Sequence, residues 1–266
     1  MGGCASQLEG LVTVVTPTRR RPALLSRAIE SVQRQCCQHV RTHIIMVDDC
    51  SDTWLALGRD LPATVWPRWA QRGPDDRNGP RRIASVRDVG TELAQTPWVA
   101  YLDDDNQWDE THLHSLLMKA RESGSPAVHS WARVIHPDGE PYLEQRDPWA
   151  FGEENGRREY QRMKELGVVE PGSNVFKDRV DAHDGPTSVR SVDQSAWLLE
   201  TELVRGIRFS NMSRPPDRTM SLGEDDLFNE NLLAKNIRIC ATEQATLIYQ
   251  LGGYSTAPEA NEPADW

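Results

Sequence analysis

The beginning of the chain carries a strand, a helix and a second strand at a spacing that strongly constrains the fold. The β-branched run Leu11–Thr16 is bounded by Pro17 and predicts a buried strand. Pro22 then stands where a helix would begin, and apolar residues recur at helical spacing to about residue 38. His43–Asp48 is a second apolar run that ends in acid. Such a unit crosses over right-handed and lays its two strands parallel, so the sequence predicts an α/β fold.

The same signals predict alternating helices and strands along the rest of the chain, in one Rossmann-like, mostly parallel sheet with an added hairpin or small sheet. Loop composition marks residues 71–80 and 210–219, and a strong turn signal marks residues 137–140. The remaining predicted elements are a helix at Trp54–Leu57, a strand at Ala63–Trp66, a helix over Ile83–Leu93, a strand at Trp98–Leu102, a helix over Leu113–Ala120, hairpin strands at Ala127–Ile135 and Pro141–Leu143, a helix at Glu153–Leu166, a strand at Ser195–Leu199, a helix over Glu224–Lys235, and strands at Ile237–Cys240 and Thr246–Gln250.

Three consecutive carboxylates, Asp103, Asp104 and Asp105, follow the third strong strand and are called the acid triplet below. Adjacent anions repel one another unless a positive charge neutralises them, and oxygen ligands at a strand end suit Mg²⁺ or Mn²⁺. The alternative is an acidic turn before a helix that has Asp109 as its N-cap and Gly124 as its stop. The triplet alone does not decide between these interpretations.

Composition narrows the class of protein. The formal charge of −10 and a pI near 5.2 argue against a nucleic-acid partner, because phosphate binding needs a basic surface. The five cysteines are odd in number and form no CxxC pair, which predicts a reducing cytoplasm. No apolar run reaches the ~18 residues of a membrane span, and Met1–Gly10 lacks the pattern of a leader peptide. The Pro- and Glu-rich residues 256–266 are expected to form a flexible tail.

Five motifs in order resemble family 2 of the inverting nucleotide-sugar glycosyltransferases, which have the GT-A fold. Each motif is short, and their order along the chain gives the resemblance its weight. They are the strand with Pro17-Thr18 and Arg21, the strand end Asp48-Asp49-Cys50-Ser51, the basic helix Arg82–Gly90, the acid triplet, and Glu224-Asp225 at the start of a helix.

The resemblance implies a role for each candidate donor-site residue. Asp105 would be the direct metal ligand, with Asp103 and Asp104 reaching the metal shell or the ribose. Asp49 would contact uracil, and Arg82 would lie on the nucleotide side. The other residues expected around the nucleotide are Pro17, Thr18, Arg21 and Arg87, the last one at the diphosphate. For Arg82 and Arg87 the alternative is an exposed helix face, which charge alone favours for Arg87.

Asp225 would be the general base that removes the acceptor proton, with Glu224 beside it. A carboxylate can act so because the acceptor hydroxyl becomes acidic as the new bond forms. The alternative is helix N-terminal charge, although three acids, Glu224, Asp225 and Asp226, exceed what capping needs.

One feature departs from the resemblance. Relatives carry a histidine near the end of the catalytic region, where this chain reads Tyr249-Gln250-Leu251-Gly252-Gly253-Tyr254. Metal binding would then depend on Asp105, the diphosphate and water. His112 and His114 are two apart on a predicted helix and are not expected to be a metal pair. His129, Trp131 and His183 are candidates for an acceptor pocket, and the alternative for an aromatic residue on a strand is a place in the core.

The expected protein is a metal-dependent inverting glycosyltransferase that moves glucose or N-acetylglucosamine from a UDP-sugar to a hydroxyl or amine. Residues 1–125 would bind the donor, and residues 126–255 would bind the acceptor and catalyse transfer. A small or carrier-linked acceptor, as in antibiotic biosynthesis, is one expectation, and a polysaccharide or cell-envelope acceptor is the alternative. A non-catalytic nucleotide-binding module remains open. A Ca²⁺ loop is disfavoured because the glycine of its sharp turn is missing, and a nucleotidyltransferase because no Gly-rich phosphate loop follows the first strand.

Overall fold

The computed structural model describes residues 10–58, 61–73, 80–183, 185–210 and 223–253. The predicted loops at residues 71–80 and 210–219 lie partly or largely outside this range, as do Tyr254 and the predicted tail. The strands are β1 Val12–Thr18, β2 Val40–Asp48, β3 Val65–Ala70, β4 Trp98–Tyr101, β5 Gln107–Trp108, β6 Ala127–Ile135, β7 Val175–Phe176, β8 Arg179–Val180, β9 Arg190–Ser191, β10 Trp197–Glu200 and β11 Ile239–Gln250. The helices are α1 Pro22–Gln33, α2 Ser51–Ala56, α3 Pro80–Leu93, α4 His112–Ser123, α5 Glu153–Glu165, α6 Thr201–Ile207 and α7 Glu224–Ala234.

The predicted α/β fold is confirmed. Within the described residues a nine-stranded sheet runs in the order β3-β2-β1-β4-β10-β6-β11-β5, with β7 paired to β6. The first four of these strands are parallel, and β10 pairs antiparallel with both β4 and β6. Strands β8 and β9 form a separate antiparallel pair. Because β1, β2 and β4 are parallel, their carboxyl ends meet at one edge of the sheet, called the carboxyl edge below.

The central strands are rich in buried apolar residues, as expected for parallel strands covered on both faces of the sheet. All seven residues of β1 are buried. Helix α3 packs so tightly on β1 that a Cβ atom at Gly90 would lie 2.4 Å from Val15 Cγ1. This close approach fixes the position of the basic residues that α3 carries to the carboxyl edge.

Several predicted element boundaries are wrong. Helix α1 ends at Gln33 and not near residue 38, because the chain turns and the Cys36 amide donates to the Glu110 carbonyl (2.7 Å). Asp109 is not the N-cap of α4. Thr111 holds that position, while the Asp109 carboxylate accepts from Arg133 Nη2 at 2.6 Å.

The predicted second-half hairpin is present but shorter than expected, with the Tyr142 amide donating to the Val134 carbonyl at 3.1 Å. Pro141 forms only an isolated antiparallel bridge to Ile135, since proline has no N–H to extend a ladder. The two strands predicted at the end of the chain are one strand, β11, whose pairing with β6 is irregular between Ala241 and Leu247. Gly124 ends α4 in the left-handed conformation as predicted. No helix among the described residues has the length and apolar character to cross a bilayer.

Candidate donor and catalytic site

The acid triplet lies in the loop after β4, at the carboxyl edge of the sheet. Thr18, the last residue of β1, donates its hydroxyl to Asp104 Oδ2 at 2.7 Å. Arg21, just before α1, donates Nη1 to Asp105 Oδ2 at 2.8 Å and to Asp104 Oδ1 at 3.4 Å. Pro17 is buried inside β1, so it shapes the strand end while the neighbouring side chains make the polar contacts. Two sequence-predicted nucleotide-site residues thus contact the triplet directly.

Two carboxyl groups of the triplet lie in surroundings that disfavour their charged forms. Burial, followed by the charge of Asp105, raises the pKa of Asp104 to about 7. Burial, followed by the charge of Asp103, raises the pKa of Asp105 to about 6. Arg21 opposes both shifts without cancelling them. The loop therefore places more carboxyl groups together than Arg21 alone can neutralise.

Arg87 joins the acid triplet to the start of α7. Its side chain is 1% exposed and donates Nη2 to Asp103 at 2.6 Å, and Nη1 to Glu224 at 2.9 Å and to Asp225 at 3.3 Å. Burial alone would lower its pKa, but the three carboxylates together raise the pKa above the ordinary value. Its guanidinium carbon lies 5.8 Å from the Phe209 ring centroid. The alternative prediction that Arg87 lies on an exposed helix face, which charge alone favoured, is therefore wrong.

The three acids that open α7 have different surroundings. Asp226 accepts a hydrogen bond from the Gly223 amide at 3.1 Å and so caps the helix. Glu224 and Asp225 instead contact Arg87. Burial, followed by the charge of Glu224, raises the pKa of Asp225 well above its ordinary value. Glu224 and Asp225, which are not needed for capping, are therefore held at the carboxyl edge, next to the acid triplet.

Arg82 contacts Asp48, the residue before the Asp49 that the sequence analysis singled out. Arg82 Nε and Nη2 donate to Asp48 Oδ1 at 2.8 and 2.6 Å, and Arg72 contacts the other carboxylate oxygen. Asp48 is fully buried, whereas Asp49 is exposed and has a positive φ of 44°. The end of β2 thus presents a buried carboxylate–guanidinium pair beside an exposed carboxylate. Arg82 is 7% exposed, so it too does not lie on an exposed helix face.

Sequence reasoning missed Ser195, which fixes the acid-triplet loop. Its hydroxyl oxygen accepts from the Asp103 amide and from Asn106 Nδ2, both at 3.2 Å, and its carbonyl accepts from Trp108 Nε1 at 2.8 Å. Asp193 in turn accepts from the Ser195 amide at 2.8 Å. An Asp two residues before a Ser, ahead of a predicted strand, is a turn signal that could have identified this segment.

A second acidic and aromatic group was also missed. Burial, followed by Asp103, raises the pKa of Asp193 to about 7, and burial, followed by Asp193, raises the pKa of Asp178 to about 7. Burial, followed by the charges of Asp193 and Asp105, raises the pKa of Tyr249, whose hydroxyl accepts from Trp149 Nε1 at 3.1 Å. Asp178 and Trp149 stand in the segment with the weakest sequence signals.

The three candidate acceptor-pocket residues lie in separate surroundings. His129 is buried against Trp197 with ring centroids 4.9 Å apart, and burial lowers its pKa to about 4. Trp131 lies beneath the Lys177 ammonium, 5.6 Å from the ring centroid. His183 is exposed. His129 is therefore a core residue, which contradicts its assignment to an acceptor pocket.

The two histidines of α4 face different neighbours, as expected. His112 is buried, stacks on Trp108 and contacts the Thr246 hydroxyl at 2.8 Å. His114 contacts the turn that follows α1.

The carboxylate oxygens of the acid triplet are ligands of the kind that a hard divalent cation prefers. A Cβ atom at Gly253 would lie 2.2 Å from Asp105 Oδ2, so only a glycine at residue 253 lets the chain after β11 pass this close to the oxygen. Within the described part of the chain the triplet does not bring three carboxylate oxygens into one cluster. An ion here would therefore need further ligands, as oxygen-ligated Mg²⁺ usually takes from substrate phosphate and water.

Comparisons with known proteins agree with this geometry. The model of the family "Glycosyl transferase family 2" matches residues 13–182, which include the acid triplet but not Glu224 or Asp225. A protein of Escherichia coli (strain K12), named as the colanic acid biosynthesis glycosyl transferase WcaA, is 34% identical over 107 residues, which is 40% of this chain and 37% of that protein.

The fold is similar to that of S. aureus TarS. The crystal structure of TarS 1-349 has a TM-score of 0.55 at 15% identity, covering 90% of this chain and 60% of that one. Its complex with UDP-GlcNAc has a TM-score of 0.54 at 14% identity, covering 90% and 58%. The chain thus spans about two fifths of WcaA, three fifths of the TarS 1-349 fragment and 37% of the longer chain in the crystal structure of S. aureus TarS. The likeness to TarS supports the GT-A fold, and the match to the family model covers more than half of the sequence. This chain belongs to glycosyl transferase family 2.

Proposed function

We propose that the protein transfers a sugar from a uridine diphosphate donor to an acceptor hydroxyl, with inversion at the anomeric carbon. One observation carries the proposal: Arg87 joins Asp103 of the acid triplet to Glu224 and Asp225. Donor phosphates at the triplet and an acceptor at α7 would then meet in one site, and the transferred sugar is proposed to lie between them. A base placed across the sugar from the leaving group is what a single-displacement, inverting reaction requires.

Asp225 is proposed as the base. Its raised pKa makes its carboxylate a stronger proton acceptor than an ordinary aspartate, while Arg87 opposes the shift and keeps the ionised form accessible. Glu224, closer to Arg87, is proposed to position that guanidinium and the acceptor.

The nucleotide is proposed to bind along the ends of β1 and β2. Uracil offers an N–H donor flanked by carbonyl acceptors, and a carboxylate beside a guanidinium complements that edge. Exposed Asp49, which the sequence resemblance singled out, is proposed to accept from the uracil N–H. Buried Asp48 with Arg82 is the alternative pair, and its present hydrogen bonds would have to open for it to contact uracil. The TarS complexes with UDP and with UDP-GlcNAc support a uridine donor, and N-acetylglucosamine is the sugar we would test first.

A divalent cation, Mn²⁺ or Mg²⁺, is proposed to bind at Asp105 with Asp103 nearby. When bound, such an ion supplies positive charge that offsets the charge developing on the departing diphosphate. Thr18 and Arg21 would orient the triplet, and Ser195 would keep the loop in place.

The acceptor is proposed to be a saccharide that extends a cell-envelope polysaccharide. The name of the relative WcaA favours this alternative over the small acceptor of antibiotic biosynthesis, which remains an untested prediction. Trp149 is partly exposed and meets Tyr249 edge to face, with ring centroids 5.2 Å apart. Rings with apolar faces and polar edges suit the mixed surface of a sugar, so this pair is proposed to line the acceptor subsite.

The test measures binding first and chemistry second. Thermal shift with UDP, GDP and ADP, each with Mn²⁺, should give the largest shift for UDP, because a ligand that binds only the folded state raises its stability. UDP-sugars incubated with oligosaccharide acceptors should then give a product of inverted anomeric configuration by NMR. A larger shift with GDP would overturn the uridine assignment. UDP binding without transfer or donor hydrolysis would favour the non-catalytic module.

A further inference from the structure

Two cysteines and a histidine meet at the far end of α1 from the donor site. Cys36 and Cys37 follow α1, and His114 lies on the first turn of α4. Their potential ligand atoms all lie within 4.8 Å of one another. Among the described residues this is the one group of three or more such side chains that comes together in this way.

The distances agree with those between ligands of one tetrahedral ion. Cys36 Sγ and Cys37 Sγ are 3.6 Å apart, and Cys37 Sγ is 3.9 Å from His114 Nδ1. Bond lengths of about 2.3 Å for Zn–S and about 2.05 Å for Zn–N imply S···S near ~3.8 Å and S···N near ~3.6 Å in a tetrahedral site. The two sulfur atoms are far beyond the ~2.05 Å of a disulfide bond.

The fold holds these side chains in place. The Cys36 amide donates to the Glu110 carbonyl at 2.7 Å, which ties the turn after α1 to the loop before α4. The ring of buried His39 stacks on His114 with centroids 5.4 Å apart, and its Nε2 lies 3.2 Å from His114 Nδ1. Stacking on His39 fixes the orientation of the His114 ring, and a metal ion at His114 Nδ1 would replace the contact of that nitrogen with His39 Nε2.

We propose that Cys36, Cys37 and His114 bind one Zn²⁺ ion, with a water molecule as the fourth ligand. Two thiolates and an imidazole are a soft ligand set, which suits Zn²⁺ and not the Mg²⁺ or Mn²⁺ expected at the acid triplet. Cys36 is exposed, so the ion has access from solvent and room for water. The ion would clamp the α1–β2 turn to α4.

This site is separate from the donor site. Arg21 precedes α1 and contacts Asp105, whereas the cysteines follow its last residue. A helix of 12 residues is about 18 Å long. Zinc binding is therefore expected to change stability and to leave UDP affinity unchanged.

The first experiment is a Co²⁺ titration of the untagged full chain in a non-chelating reductant. We expect a thiolate-to-cobalt charge-transfer band that saturates near one equivalent and disappears when Zn²⁺ is added. Cys36→Ser, Cys37→Ser and His114→Gln should each weaken Co²⁺ binding on the order of 100-fold. Cys240→Ser is the matched control, because Cys240 is a free thiol outside the group.

A second measurement uses the native protein only, so it does not depend on whether the variants fold. Zn²⁺ should slow maleimide modification of Cys36 and Cys37 in the native protein, and leave the rate at Cys240 unchanged. The absence of a charge-transfer band, a band that survives in Cys37→Ser, or equal protection of all three thiols would each overturn the proposal. UDP affinity measured alongside reports on the donor site independently.

Discussion

Arg87 Nη1 lies 2.9 Å from Glu224 Oε1, although the two residues are 137 positions apart in the chain. Helix α3 carries the guanidinium and α7 carries the carboxylate, so this contact brings the two halves of the proposed site together. Because Arg87 is buried and Asp103 accepts from its other nitrogen, the same side chain affects both stability and the charge of the site.

The first prediction replaces Arg87 by Met. The change leaves three carboxylates without their shared cation, and losing one partner of a buried ion pair typically costs about 3–5 kcal/mol. We expect a loss of that order in the free energy of unfolding at neutral pH, measured by urea denaturation. Arg157→Met is the control, because the Arg157–Glu153 pair is exposed and should contribute less than about 1 kcal/mol. Equal effects of the two changes would contradict a central role for Arg87.

The second prediction concerns the base. Asp225→Asn should reduce turnover by roughly 10²–10⁴-fold while donor affinity stays within about twofold, because only the proton transfer is removed. Asp226→Asn is the control: its amide oxygen can still accept from the Gly223 amide, so only the favourable charge at the helix N-terminus is lost, at about 0.3–1 kcal/mol of stability with little change in turnover. Glu224→Gln should fall between the two. Near-normal turnover in Asp225→Asn would transfer the role to another acid.

Local patterns were sufficient for the features that depend on neighbours in sequence. The strand ends at Asp48 and Asp103 could be located because apolar runs stop there, and Glu224-Asp225 because a helix begins at that point. The two-residue strands β5 and β7 carry too few residues to show a period, and their pairing is decided by β11 and β6. Helix α1 was predicted too long because a tertiary hydrogen bond from Cys36 turns the chain.

The missed parts of the site depend on contacts that no local pattern encodes. Arg87 was expected at the diphosphate, but its sequence context is that of a surface residue, and its burial against Asp103, Glu224 and Asp225 is set only by the folded chain. Asp193 and Asp178 are isolated acids in irregular segments, and the chain must fold before they approach each other. His114 approaches Cys37 across 77 positions in the same way. Sequence reasoning therefore found the motifs and missed the side chains that surround them.

The third prediction tests the close approach of Gly253 to the Asp105 carboxylate. In Gly253→Ala the new Cβ would lie 2.2 Å from Asp105 Oδ2, so the carboxylate or the chain after β11 must move. We expect nucleotide affinity in Mn²⁺ to fall at least about tenfold, a change of roughly 1.4 kcal/mol, while the far-ultraviolet circular dichroism is unchanged. Gly206→Ala, which meets no atom within 4 Å, is the control. Unchanged affinity in Gly253→Ala would argue against metal binding at Asp105, as would full activity in EDTA.

The fourth prediction separates the two acids at the end of β2. Asp49 is exposed, so Asp49→Asn should leave stability within about 0.5 kcal/mol, and it should weaken UDP binding only if Asp49 contacts uracil. Asp48→Asn should destabilise the fold, because both arginines lose a charged partner inside the protein. Calorimetric titration with UDP at a temperature where both variants are folded distinguishes them. If Asp48 and Arg82 recognise uracil, only Asp48→Asn weakens binding, whereas a loss only in Asp49→Asn would favour the resemblance-based assignment.

The last prediction concerns pH. Burial raises the folded-state pKa of Asp178 to about 7 from an ordinary value of 3.8. Between these values the folded state holds a proton that the unfolded chain has lost, so stability from this group is present at low pH and is lost as pH rises from about 4 to about 7. Asp178→Asn keeps the shape and removes the titration.

The variant should match the native protein near pH 4 and exceed its free energy of unfolding above pH 7 by on the order of 1 kcal/mol. That figure allows for a side chain that is only partly buried and so partly screened by solvent. Urea denaturation at several pH values measures the difference, and Glu122→Gln, a change to an exposed acid on α4, should keep the native slope. Parallel pH profiles for the native protein and Asp178→Asn would mean that water reaches Asp178 freely and that its carboxylate is ionised at neutral pH.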